Sequence, residues 1–337
     1  MKRTVADVYL PVTRGMKSRA ISQVIHKKMD SWLASLPPEL AKKIKPNVIV
    51  TGGCIASMLM GDEPNDFDVY MASFESAEAL AKHYVEQYNA KGLAASKNTS
   101  PVVLFVESAP PAENFPGRVY IYVKSAGVVG DANQEQDAEP YQYFEGDPDP
   151  TNAENFINET ARAAEATEQA SKDEAEKKNG YSVLHMSGNA ITLWGKVQVV
   201  IRFFGPPAEI HRNYDFVHVT NHWTFEDGLV LRAEALEAIL SKTLVYQGSL
   251  YPICSLIRLR KFIARGWNVT AGQILKMVWQ VNDLNLQDAN VLRDQLMGVD
   301  AAYFAQLLSI LTNDRKKNPD LKIDAAYIAI LIDKFLD

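Results

Sequence analysis

Residues 50–71 read "VTGGCIASMLMGDEPNDFDVYM". A short apolar run, "NVIVTGG", leads into a glycine pair and predicts a buried strand ending in a turn. "CIASMLM" predicts one short helix, "GDEPN" a loop, and the alternating "DFDVYMA" a second strand. Residues two apart on a strand share a face, with Cα atoms about 6–7 Å apart, so Asp66 and Asp68 present paired carboxylates. The pair is repulsive unless a counter-charge joins it. Mg²⁺ is the fitting cation, because it takes one or two carboxylates together with substrate phosphates. Gly52 and Gly53 stand at the strand-to-helix junction. Glycine there permits positive φ and a close backbone approach, and the helix N-terminus behind it favours a phosphate. Taken singly, the carboxylate pair also describes a solvated strand end. Its spacing from the glycine pair, across one helix, favours a cradle for a nucleoside triphosphate.

The 337 residues suffice for two domains, and 47% of them are hydrophobic, enough for a sizeable core. No apolar run is long enough to predict a membrane span, and the N-terminus lacks a secretory pattern. The two cysteines, Cys54 and Cys254, lie in apolar contexts and read as core residues of a cytoplasmic protein. The net charge of −6 is unevenly spread. Residues 131–178 hold fourteen acidic and four basic side chains, which leaves 31 basic against 27 acidic elsewhere. An acidic insertion, about 126–180, is thus set into a mildly basic body compatible with nucleotide or nucleic-acid phosphates.

Residues 16–35 carry apolar positions at helical spacing, and "LPPEL" ends that helix. Ser76 is a candidate cap for a helix over "AEALAKHYVEQYNA". "PVVLFVES", "RVYIYVK", "AITLWG", "KVQVVIRFF" and "DFVHVTNHW" predict strands. The acidic insertion reads as a loop followed by a solvated helix, and as a surface for a protein partner. Beyond about Glu226 the pattern is helical, with Thr270, Asp300 and Asp324 as candidate N-caps. The predicted fold class is α+β: a mixed sheet with flanking helices over 1–225, then an all-helical domain over 226–337.

The glycine pair, Leu59-Met60-Gly61, Pro64 and Asp66-Phe67-Asp68 together resemble the signature of the DNA polymerase β-like nucleotidyltransferases. Within that superfamily the match is to the head domains of tRNA nucleotidyltransferases and bacterial poly(A) polymerases. The segment "VQVVIRFFGPPAEIHRNYDFVHV" also resembles nucleotidyltransferase-like proteins of bacteriophages. The resemblance implies a nucleotidyltransferase-type sheet and metal-dependent transfer of a nucleoside monophosphate from an NTP such as ATP. It implies two metals, Mg²⁺ or Mn²⁺, and an acceptor hydroxyl at an RNA 3′ end or on a protein. A non-catalytic nucleotide or RNA binder is the remaining reading. Where those enzymes carry an Arg-Asp pair early in the helix, this sequence has Ala56 and Ser57, so CCA addition itself is not implied.

The resemblance further implies a third carboxylate on a neighbouring strand. Asp215 in "NYDFVHV" is the first candidate, ahead of Glu107, Glu226 and Asp227. Asp66, Asp68 and Asp215 are then the expected catalytic and metal residues. Gly52, Gly53 and Ser57 are expected nucleotide contacts. Arg258, Lys261 and Arg265 recur on one face of the predicted helix "SLIRLRKFIARGW", where they fit a triphosphate or an RNA backbone. Ser249 and Tyr251 are expected near the same pocket. His211, His218 and His222 do not have the spacing of a zinc site on a strand. Trp223, Trp267 and Trp279 read as core.

Overall fold

The computed structural model describes residues 15–95, 103–113, 115–124 and 180–286, with isolated positions 291, 295, 327 and 330. The acidic insertion and most of the chain beyond 286, with the candidate caps Asp300 and Asp324, lie outside the described residues.

The chain opens with helices α1 (Ser18–Leu33) and α2 (Pro38–Ile44). Strand β1 (Val48–Thr51), helix α3 (Gly53–Met60) and strand β2 (Phe67–Met71) follow, then the long helix α4 (Phe74–Ala95). Strands β3 (Val103–Ala109) and β4 (Arg118–Lys124) pair only with each other. Strands β5 (Val183–Met186), β6 (Ala190–Leu193) and β7 (Val197–Phe204) return to the main sheet. Helix α5 (Pro207–His211), strands β8 (His222–Thr224) and β9 (Gly228–Val230), and helix α6 (Ala233–Ser241) come next. The described part ends with β10 (Thr243–Leu244), α7 (Pro252–Ala264), β11 (Asn268–Val269) and α8 (Ala271–Asn282).

The seven-stranded sheet runs β5-β6-β7-β2-β1-β8-β9. It is mixed: β2 and β7 are parallel, and its other pairs are antiparallel. Alternation along the central strands divides two faces. Val48, Val50, Phe67, Val69, Met71, Val197 and Val199 point into the main core with Ile21, Ile25, Trp32, Leu80 and Tyr84 from α1 and α4. Trp32 donates its indole N–H to the Tyr84 hydroxyl at 2.8 Å inside that core. Ile49 and Tyr70 face the other way, where they meet Ile210 of α5. A third apolar cluster joins Ala56 of α3 to Phe216, Leu244, Tyr246, Leu259, Trp267 and Met277, and so seats α7 and α8 beside the glycine turn.

Four expectations change. Ser73, not Ser76, serves the start of α4: its hydroxyl accepts from the Ser76 N–H at 3.3 Å. "DFVHVTNHW" is not one strand, because Val217–Val219 forms a 3₁₀ turn before β8. The portion expected to be all-helical holds the parallel pair β10–β11, which ties the end of α6 to the end of α7. Trp223 and Trp267 are core residues, but Trp279 is 68% exposed.

Candidate functional site

Strand β1 ends at Thr51, in register with Asp68 of β2. The backbone then turns at Gly52, with φ 97° and ψ −156°. This is glycine territory, and it throws the chain directly into α3 with no side chain capping the helix. A Cβ at Gly52 would stand 2.7 Å from Asp68 Oδ2, so only glycine lets the carboxylate lie against the turn. A Cβ at Gly53 would meet nothing within 4 Å, which leaves the helix start open. The helix ends by a Schellman motif. Gly61, at φ 87°, donates its N–H to Met58 O at 3.2 Å, and Asp62 donates to Ser57 O at 2.9 Å. The loop that follows delivers Asp66 and Asp68 back to the start of the same helix.

Asp66 is exposed and immediately precedes β2, while Asp68 lies half-buried within it. Desolvation raises the Asp66 carboxyl above its usual range. Burial first, and then the Asp66 charge, push Asp68 up to about 8, against a smaller opposing pull from Arg258. Burial, Asp68 and Asp66 in that order push up the thiol of Cys54, so the carboxylates face the first turn of α3. Two carboxylates that resist joint ionisation, beside an uncapped helix start, match the donor set of a divalent cation shared with phosphate oxygens. The protein offers two ligands of this kind. Among the described residues, no set of three His, Cys, Asp or Glu side chains is gathered to hold a metal.

Asp215 is where this differs from expectation. It lies in a bend after α5, not on a strand, and its carboxylate is ion-paired with Arg258 of α7. The strands that do flank β2 carry no carboxylate. Gln198 of β7 and Thr51 of β1 occupy the positions opposite Asp68. Glu107 sits on the separate β3–β4 hairpin, and Asp227 serves the β8–β9 turn, where its N–H reaches the Thr224 hydroxyl at 2.9 Å. Glu226 lies in that same turn.

Ser57 lies half-buried on α3. Ala56, the first of the two positions where an Arg-Asp pair would stand, is 3% exposed and packs in an apolar cluster. Arg258 is close enough for its charge to act on Asp68; Lys261 lies farther along the same helix and Arg265 at its C-cap, and all three are exposed. Ser249 accepts from the Tyr251 N–H at 3.0 Å and so shapes the start of α7. Tyr251 takes a hydrogen bond from Arg202 of β7, which also stacks on its ring at 5.1 Å. Arg202 was not singled out by the sequence, although it is the one cation in the apolar run of β7.

His211 and His218 are buried, and His222 half-buried. His211 approaches the Thr51 hydroxyl at 2.9 Å. That hydroxyl already donates to Asn221 O at 2.7 Å, so His211 must supply the proton from Nε2. Burial is the main cause that lowers His211, to about 4, and keeps it neutral. His218 packs against Trp267 and Phe262 and is lowered likewise, to about 4, by burial.

The sequence model described as "Gad2: Gabija anti-defense 2 family protein" matches residues 23–242, which contain the glycine turn, both aspartates and Asp215. No curated protein matches the chain. Among solved structures, the chain is similar to a Thermotoga maritima CCA-adding enzyme complexed with tRNA. The identity is 11% and the TM-score 0.34, covering 85% of this chain and 53% of that one. A tRNA nucleotidyltransferase complexed with a primer tRNA and an incoming ATP analogue matches at 13% identity and TM-score 0.32. That match covers 82% of this chain and 60% of the other. A tRNA-processing enzyme complex matches at 12% identity and TM-score 0.32, over 80% and 54%. The chain spans a little over half the length of these structures.

Proposed function

The chain belongs to the Gabija anti-defense 2 family, and we propose that it is a metal-dependent nucleotidyltransferase. The observation that carries this reading is the fit of Asp68 against Gly52. An ionisable pair is held at an open helix start by a turn that no other residue could make. Gly52, Gly53 and the first turn of α3 bind the triphosphate through backbone N–H groups. Asp66 and Asp68 would hold the Mg²⁺ or Mn²⁺ ions of a two-metal site. When bound, the cation neutralises charge on the α-phosphate and lowers the barrier to in-line displacement. Arg258 offsets charge on the polyphosphate, and Lys261 and Arg265 extend the cationic face toward the acceptor. The acceptor oxygen forms a bond to the α-phosphorus as the bond from that phosphorus to the bridging oxygen breaks. The acceptor's proton passes to solvent, and pyrophosphate leaves.

We assign an RNA 3′ end as acceptor, consistent with the mildly basic body of the chain. The family name gives specific weight to a second acceptor, a hydroxyl on a protein of the defence machinery. Incubation with each α-labelled NTP, Mg²⁺ or Mn²⁺, total RNA and host protein tests both. Label in RNA supports the first acceptor and label in protein the second. Absence of label with folded protein overturns the enzyme reading.

A further inference from the structure

We infer that Gln198 of β7 belongs to the metal site: its side-chain amide oxygen is a neutral third donor to a cation held by Asp66 and Asp68. This rests on the nucleotidyltransferase reading and adds a residue to its site.

In the parallel ladder between β2 and β7, Gln198 is in register with Asp68. Residues opposite each other on paired strands share a face, so the amide projects on the carboxylate's side of the sheet. The alternation along β7 agrees. Val197 and Val199 enter the main core, and Gln198 between them is half-buried on the opposite face. The register is pinned at both ends. Phe67 donates its N–H to Lys196 O at 2.8 Å, and Lys196 Nζ pairs with Glu63 at 2.6 Å. That pair ties the start of β7 to the loop that delivers Asp66. Beyond the strands, Gly205 donates its N–H to Met71 O at 3.0 Å. A slip by one residue would turn Gln198 into the core. Thr51, on the other flank of Asp68, is already committed. Its hydroxyl donates to Asn221 O at 2.7 Å and meets His211 Nε2 at 2.9 Å. Of the two residues flanking Asp68, Gln198 is therefore the one placed to serve a ligand. The carboxylates select which end of the amide is used. Their charge repels phosphate oxygens from their immediate surroundings and admits a cation. To that cation the amide presents its carbonyl oxygen, an acceptor with two lone pairs. It does so without adding charge, whereas a third carboxylate there would repel the triphosphate.

The test is Mn²⁺ binding, read from the electron paramagnetic resonance signal of free Mn²⁺, without nucleotide and again with a non-hydrolysable NTP. Wild type is compared with Gln198→Met and Gln198→Glu, and Asp66→Asn marks loss of the site. Gln198→Met keeps the length but removes the oxygen, and should weaken Mn²⁺ binding about tenfold. Gln198→Glu places a carboxylate at the same reach, and should tighten it about tenfold. Thermal melting in chelator should place Gln198→Met with wild type, because the residue is only half-buried. If Gln198→Met does not fold, Gln198→Glu decides by itself. The inference is overturned if either folded variant binds Mn²⁺ as wild type does while Asp66→Asn loses it. Failure of the nucleotidyltransferase reading appears separately, as wild-type protein that transfers no label and whose Mn²⁺ binding is absent or indifferent to Asp66→Asn. That outcome overturns the inference as well.

Discussion

At Gly52 the backbone holds φ 97°, with Asp68 Oδ2 2.7 Å from where a Cβ would be. Gly52→Ala is expected to cost about 1–3 kcal/mol of stability by strain and contact. It should also lower transfer activity at least about a hundredfold by displacing the carboxylate, as read by thermal melting and the label assay. Asp68 carries a second prediction with a definite sign. Its folded-state pKa, about 8, lies above its unfolded value near 4, so ionising it opposes folding. In chelator, wild-type stability should fall as pH rises from about 4 towards 8 through this group. Asp68→Asn should therefore be more stable than wild type at pH 8 and gain nothing near pH 4, while losing transfer activity. Equal melting temperatures across that range would contradict the assignment. The aspartates were legible because their period-2 spacing is local. Gln198 as the partner of Asp68, and Arg258 as the partner of Asp215, were not. Those pairings are set by strand register and helix seating between residues far apart in sequence.

The unit from β1 through α3 to β2 was legible for a related reason: each piece has its own local signal. An apolar strand, a glycine start, a glycine stop and an alternating return follow one another within 24 residues, 48–71. The segment after α5 was not, since its fate depends on what it touches. Residues 217–219 form a 3₁₀ turn because Val217 donates to Val245 O at 3.0 Å and His218 fills an aromatic seat. Helix α5, just before this segment, carries its own pH prediction through its last residue, His211. The folded pKa of His211, about 4, lies below its unfolded value near 6.5. The stability it contributes is whole above about pH 6.5 and is lost as pH falls towards 4, because the unfolded state binds the proton first. His211→Gln retains a donor for Thr51 but does not titrate. Melting followed from pH 7 to 4.5 should show a shallower acid-side loss in that variant than in wild type.

Across the molecule, the paired aspartates belong to the sheet, while Arg258 belongs to a helix beyond it. The Ala56 cluster and the Arg202–Tyr251 contact hold these parts together. No described helix is long and apolar enough to cross a membrane. The mixed sheet could be foreseen from its strand signals, but not the separation of β3–β4 from it, since both kinds of strand look alike in sequence. Trp279 likewise follows a helical apolar spacing that gives no hint of which side is covered. A site made from both parts should couple nucleotide to global stability. Mg²⁺ with NTP at a hundredfold excess over Kd should stabilise wild type by about 2.7 kcal/mol. Neither Asp66→Asn nor Asp68→Asn should respond, as read by melting. The most direct measurement is the anomalous scattering of Mn²⁺ in crystals grown with a non-hydrolysable NTP. A peak is expected about 2.0–2.3 Å from carboxylate oxygens of both Asp66 and Asp68, with the polyphosphate over Gly52-Gly53 and reaching Arg258. Metal and nucleotide bound elsewhere, with that carboxylate pair untouched, would contradict it.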